Sequence, residues 1–161
     1  MPEQFVARSP DEIPDRATMA GMSGLEFIEA IRDGTLPGAP IAEVMNFRLH
    51  EAAKGEVAFR GSAEFKHSNP MGGVHGGWYG TILDSALGCA VATVLEKGSV
   101  YTTLEYKVNL TRALKPGVLV ECRARVQHAG RSTAVAEAVI TGVEDGKIYA
   151  TGSTTCIIMR A

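Results

Sequence analysis

The sequence predicts an α+β domain in which one long apolar helix lies against an antiparallel sheet. Three observations carry this expectation. Residues Gly76 to Leu95 read GGWYGTILDSALGCAVATVL, a helix-length run in which Asp84 is the only ionisable carboxylate. After Lys97-Gly98 the chain holds only strand signals, broken at Lys115-Pro-Gly117, Ala129-Gly130 and Asp145-Gly146. Alternating strands precede the helix as well. Runs of strands with a single long helix define the α+β class.

Taken in order, residues 1–20 are polar and contain prolines, so they are expected to be poorly ordered. Ser23-Gly-Leu-Glu26 has capping-box spacing, Leu25, Ile28 and Ile31 recur at helical spacing, and Gly34 supplies a stop. A short amphipathic helix over Gly24–Arg32 follows, read as a packing arm or lid. Leu36–Pro40 (LPGAP) is a linker that cannot be helical. These forty residues form an N-terminal extension, and residues 41–161 form the domain. A short helix over Ile41–Met45 leads to a strand at Phe47–Ala52. Glu56–Phe65 alternates, with Val57 and Phe59 on one face and Ala58 and Arg60 on the other. Beyond the long helix, strands fall near Tyr101–Arg112, Leu119–His128, Thr133–Glu144 and Lys147–Met159. Asp145-Gly146, between two alternating runs, is a hairpin signal. The helix is apolar nearly all round, so one flat sheet cannot cover it. Either the sheet wraps around it or a second subunit covers the rest.

Composition excludes several classes. The 161 residues fit one domain, and 45% apolar content is ordinary for a globular chain. A net charge of −2, with basic residues scattered, provides no field for nucleic acid. Cys89, Cys122 and Cys156 are odd in number and far apart, which argues against a disulfide framework and for a reducing cytoplasm. No Cys-x-x-Cys or His–Cys cluster exists, and His50, His67, His75 and His128 lack zinc-ligand spacing, so no metal site is expected. The N-terminus has no apolar stretch of the signal-peptide kind. A membrane span over Gly76–Leu95 would carry Asp84 near its middle, at roughly 2.5–3.5 kcal/mol, so this run is expected to be a core helix.

Asp84 is therefore the conspicuous residue. Burying an unpaired carboxylate costs several kcal/mol, and nothing in the run offers a compensating cation. It stands downstream of a Gly-rich turn, Asn69-Pro-Met-Gly-Gly-Val-His-Gly-Gly, that opens the helix. The motifs H67-S-N-P-M-G-G-V-H-G-G77, D84-S-A-L-G-C-A-V, Y101-T-T-L-E-Y-K-V-N109 and L114-K-P-G117 resemble the hotdog-fold thioesterases, in their PaaI-like branch. The resemblance covers about Ile41 to Met159. It implies a sheet curled round a central helix, a dimer with a continuous sheet and often a tetramer. It implies hydrolysis of acyl-coenzyme A thioesters with no cofactor, coenzyme A being part of the substrate. It places the oxyanion-hole glycine on Gly76, the catalytic carboxylate on Asp84, a water-orienting hydroxyl on Thr103, and the polar pair flanking the thioester on Asn69 and His75.

Physical chemistry gives these residues work without the resemblance. A helix N-terminus offers unpaired N–H groups and partial positive charge, and Gly76 and Gly77 let a substrate approach the backbone closely. Such donors suit a carbonyl oxygen that gains charge. Asp84 reads either as a general base on water or as a direct nucleophile, and an apolar surround would raise its pKa. His75 reads as base, turn support or thioester contact; Asn69 reads equally as a turn cap; Thr103 is at home in any strand. Gly76 and Asp84 lie about 12 Å apart along one helix, too far to serve one thioester carbon. An antiparallel copy across a two-fold axis solves this: Asn69, His75 and Gly76 come from one chain, Asp84 and Thr103 from the other.

Phosphates of coenzyme A want Arg, Lys and loop N–H groups, for which Arg112, Lys115, Arg131 and Ser132 at strand ends or turns are candidates, though each singly reads as a solvated surface group. Trp78 and Tyr79 read as acyl-pocket lining, core or dimer contacts. Two other functions compete with hydrolysis: a hotdog hydratase or dehydratase, which needs a His beside the acid, and a non-catalytic acyl-CoA-binding module, which does not need Asp84.

Overall fold

The computed structural model describes residues 5–160. Its elements run α1 (Arg16–Ala20), α2 (Gly24–Arg32), α3 (Pro40–Val44), β1 (Phe47–Ala53), β2 (Glu56–Ser62), α4 (Gly76–Ala92), β3 (Ser99–Leu110), β4 (Leu119–Ala129), β5 (Thr133–Gly142) and β6 (Ile148–Arg160). The six strands form one antiparallel sheet in the order β1-β2-β4-β5-β6-β3. The sheet wraps around α4, which touches every strand. Curling supplies the coverage that a helix apolar on nearly all sides demands. Ile82, Leu83, Ala86, Leu87, Ala90 and Val91 are fully buried, each stabilising the fold by about 1–3 kcal/mol according to its size.

Local chemistry sets most boundaries where the sequence puts them. Ser23 and Glu26 form the expected capping box, and α2 ends at Arg32 before Gly34 with φ +76°. Between β5 and β6, Gly146 sits at φ +63° and the Asp145 carboxylate accepts from Lys147 N and Tyr149 Oη.

Three local expectations differ from the structure. Residues 5–20 are not loose: Val6 and Ala7 are buried, and Val6 bridges Gly38. Apolar side chains and a backbone partner outweigh the polar composition there; residues 1–4 of that expected segment lie outside the described residues. The strand expected to reach Phe65 stops at Ser62, followed by a 3-10 turn over Phe65–His67. His67 holds that turn, accepting from Glu64 N and meeting Val44 O at 2.7 Å. The linker expected to stay non-helical through Pro40 ends at Ala39, because Pro40, whose missing N–H costs nothing in a first turn, already belongs to α3. Ala58, on the opposite face of β2 from Val57 and Phe59, is fully buried between its strand neighbours Glu51 and Arg123, whose side chains bond to each other at 2.7 Å.

The N-terminal arm is anchored at both ends of α2. Gly24 N donates to Leu95 O at 3.0 Å, and a Cβ on Gly24 would collide with Ala92 O. At the other end Arg32 Nη1 donates to Ala52 O in β1. Ile28, between them, joins the core cluster that α4 organises.

Candidate active site

Glycines let β3 lie close along one face of α4. Gly76, Gly80, Asp84 and Gly88 recur every fourth residue and so share that face. A Cβ would meet Leu110 Cδ1 at 3.4 Å from Gly76, Tyr106 Oη at 3.2 Å from Gly80, and Tyr101 Oη at 2.7 Å from Gly88. Asp84 is the one member of the stripe with a side chain, and it meets Thr103, whose Oγ1 donates to Asp84 Oδ1 at 3.3 Å. The register of β3 against β6 slips just after Thr103, leaving Leu104 unpaired. A bulge of this kind re-aims neighbouring side chains.

Asp84 is half-buried, and burial raises its pKa, opposed by the Thr103 hydroxyl. It opens on a cavity of about 230 Å³ whose apolar walls include Ile28, Ile31, Phe47, Leu49 and Phe59, with Ser85 and Tyr101 beside the carboxylate. Among the described residues no Lys, Arg or His lines this space. Cys89 also lines it, but burial, with Asp84's charge second, pushes its thiol up to about 12, so it is not a ready nucleophile.

The opposite half of the expected constellation sits at the start of α4. His75 is the N-cap, its Nδ1 accepting from Gly77 N at 2.9 Å. That bond requires an unprotonated Nδ1 and places the ring proton of the neutral form on Nε2. It also occupies the Gly77 N–H. The Gly76 N–H, by contrast, makes no hydrogen bond among the described residues. Asn69 shapes the preceding turn: its Oδ1 accepts from Met71 N at 2.9 Å and Gly73 N at 3.3 Å.

The structure thus brings Asp84 and Thr103 together and gathers Asn69, His75, Gly76 and Gly77 separately. Arg112 and Lys115 are exposed near this second group, where Leu114 O receives Val74 N. Arg131 lies at the other end of α4, in a groove of about 580 Å³ shared with Lys97 and Arg160. Ser132 is adjacent in sequence, and its carbonyl accepts from Ile158 N. Trp78 and Tyr79 are core residues here. The Trp78 indole donates to Met45 O at 2.7 Å, and Tyr79 Oη accepts from Leu114 N at 2.8 Å; neither lines the Asp84 cavity. Ser85, Tyr101, Ile28 and Ile31 line the Asp84 cavity, and the sequence did not single them out for it. The helical spacing of Ile28 and Ile31 was the available signal, but it marks any packed helix. Among the described residues no group of three or more His, Cys, Asp or Glu stands close enough to hold a metal ion. No helix among them is long and apolar enough to cross a membrane.

A six-stranded antiparallel sheet curled about one long helix, with a glycine-led helix start, defines a hotdog-fold protein. The thioesterase superfamily model matches residues 71–149, from the Gly-rich turn through α4 into β6. A phenylacetic acid degradation-related protein from Ralstonia eutropha superposes with TM-score 0.74 at 26% identity, covering 81% of this chain and 98% of that one. A variant of the phenylacetic acid degradation protein PaaI from Thermus thermophilus superposes with TM-score 0.67 at 27% identity, covering 73% and 97%. A Caenorhabditis elegans protein bearing an esterase name is 30% identical over 106 residues, 65% of this chain. The match spans 62% of that relative's length. The family-model match and the structural neighbours, PaaI-related proteins among them, agree with the resemblance that the motifs carry to the thioesterase superfamily.

Proposed function

We propose that the protein hydrolyses an acyl-CoA thioester to free acid and coenzyme A, at a site shared between two subunits of a cytoplasmic homodimer or dimer of dimers. The observation that carries this reading is Asp84: a half-buried carboxylate on a core helix, held by Thr103 in the lining of an apolar cavity that has no cation among the described residues. A structural carboxylate in such a place would have a buried base beside it.

In this reading Asp84 removes a proton from water as the water oxygen attacks the thioester carbon, or attacks that carbon itself to give an anhydride that water then opens. Carbonyl oxygen charge develops at the Gly76 N–H of the other subunit, with the α4 N-terminus adding its dipole. The intermediate collapses by expelling the thiolate, which is a good leaving group and takes its proton from solvent. Asn69 and His75 hold the donor turn in shape. Arg112 and Lys115 of one chain, and Arg131 of the other, offer positive charge to the coenzyme A phosphates.

Two features support a shared site. The eight residues from Gly76 to Asp84 put the donor about 12 Å along the helix from the base. β3 is a twelve-residue edge strand exposing Leu104, Tyr106 and Leu110, the kind of edge that recruits another strand. The hydratase alternative needs a His beside the acid, and among the described residues no His lines the Asp84 cavity. The binding-module alternative leaves Asp84 without a task.

Subunit mixing tests both chemistry and architecture. Gly76→Pro deletes the donor N–H at a helix position that accepts proline, and extended His75 (φ −64°, ψ 139°) suits a following proline. Each of Gly76→Pro and Asp84→Asn alone is expected to lose thiol release. Mixing and refolding them pairs an intact Gly76 with an intact Asp84 in one site of each heterodimer, restoring about one quarter of wild-type rate. No recovery on mixing, with heterodimers demonstrated, removes the shared site. Absence of thiol release by the wild type from every acyl-CoA offered removes the hydrolase reading.

A further inference from the structure

We infer that the N-terminal arm is the acyl gauge of this site, closing the Asp84 cavity so that it accepts acyl groups of medium length or a single ring and rejects long fatty chains. The inference rests on the thioesterase reading for the direction in which the substrate enters, and goes beyond it in naming the acyl class and the residues that set it.

The sheet order leaves β1 and β3 as its two edges. Both edges line the cavity, β1 through Phe47 and Leu49, β3 through Tyr101 and Thr103. The cavity therefore occupies the gap where the curled sheet fails to close around α4. What closes it is the arm: Ile28 and Ile31 of α2 form a wall of the same space. Phe47 and Phe59, edge to face with ring centres 5.9 Å apart, form another. Asp84 and Thr103, hydrogen-bonded to each other, supply a polar end to this lining. A thioester held at the carboxylate has one apolar direction in which to lay its acyl group, and the arm stands in that space.

Size follows from volume. An apolar cavity of about 150 Å³ takes the six carbons of benzene, so on that ratio the 230 Å³ here takes roughly nine. A long fatty acyl chain does not fit unless the arm leaves. The arm is built to stay: Gly24 N on Leu95 O, Arg32 on Ala52 O, and Ile28 at 2% exposure fix it at both ends and in the middle. Ile31 is only partly buried in the core packing, so it can be changed without emptying that core.

Two readouts separate this inference from the hydrolase reading. Calorimetry with non-hydrolysable acyl-CoA thioethers of two to sixteen carbons reads the cavity alone; thiol release from the matching thioesters reads the reaction. Wild-type affinity is expected to rise with acyl length to about nine carbons and then fall at least tenfold. Ile31→Ala removes three carbons from the wall, and its ceiling moves up by about three carbons. Ile31→Trp fills the space; affinity for the longest accepted wild-type chain falls at least tenfold while the two-carbon ligand binds as before. Thermal melting confirms that both variants fold, and Ile31→Val, expected to move the ceiling by about one carbon, stands in if Ile31→Ala does not. An identical length profile in wild type and the folded variants overturns the gauge. So does tight wild-type binding of the sixteen-carbon thioether. A profile that shifts as described with no thiol release keeps the gauge and removes hydrolysis.

Discussion

The two faces of α4 contrast sharply although the sequence shows one continuous apolar run. The sheet face is filled: Ile82, Leu83, Ala86, Leu87, Ala90 and Val91 leave no space and carry no polar atom beyond the backbone. The face toward β3 is pared down to Gly76, Gly80 and Gly88, and into the room so made the chain sets one carboxylate. Glycine inside a helix costs roughly 1 kcal/mol relative to alanine. Gly80 and Gly88, both inside the helix, are a standing penalty that the filled face offsets. The lesson is that one face carries the stability and the other spends part of it on proximity between helix, strand and a charge.

The strongest way to break this division is Asp84→Asn. If the open face serves chemistry, thiol release falls by about 10²–10⁴, the range for loss of a positioned base, while the fold persists. Stability then moves the other way. A carboxylate whose pKa is raised in the folded protein contributes stability that is present below its unfolded pKa and lost as pH rises through the folded value. Asn carries no charge at any pH, so the variant should melt above wild type at neutral pH. The gap should close as pH falls below the carboxylate range. Thermal melts across pH, beside acyl-CoA turnover, read both. A variant that melts lower at neutral pH yet turns over normally would make Asp84 a structural residue.

On the filled face, Leu87→Ala is expected to destabilise by about 2–5 kcal/mol, because the surrounding core closes over the lost atoms only in part. The rate per folded molecule should hold at temperatures where the variant is folded. Denaturant titration with turnover on the same sample separates the two. A large loss of rate with little loss of stability would mean that the faces are not divided as described.

Much of this was legible in the chain because the signals are local. The capping box at Ser23 and Glu26, Asp145-Gly146 at a hairpin and the helix beginning at Gly76 are each set by a few adjacent residues. Asp84 announced itself by being alone. What stayed hidden depends on distant partners. Trp78 reads equally as pocket lining, core or dimer contact until its indole meets Met45 O, thirty-three positions away. The full burial of Ala58 depends on strand neighbours from two other strands, Glu51 and Arg123, that pair with each other. Ile28 and Ile31 have the spacing of any packed helix; only the gap between the edges of the curled sheet turns them into a cavity wall. The separation of Gly76 from Asp84 could be read from helix rise alone, since it needs only the count of residues between them.

The finest division within the open face lies between Asp84 and its neighbour Thr103. Thr103→Val keeps shape and strand preference but removes the hydroxyl that donates to Asp84 Oδ1 at 3.3 Å. That bond favours the ionised carboxylate, so its loss pushes the Asp84 pKa further up. If Thr103 acts only by tuning ionisation, the acid limb of the pH–rate profile moves to higher pH and the plateau above it stays within about twofold, because a charged base with a higher pKa is no weaker a base. If Thr103 also orients the attacking water, the plateau falls as well, by about tenfold for a lost hydrogen bond of roughly 1.5 kcal/mol. The profile of Thr103→Val from pH 4 to 9 therefore distinguishes a residue that sets the charge of the base from one that places its substrate, and an unchanged limb with an unchanged plateau would show that the two side chains are neighbours without coupling.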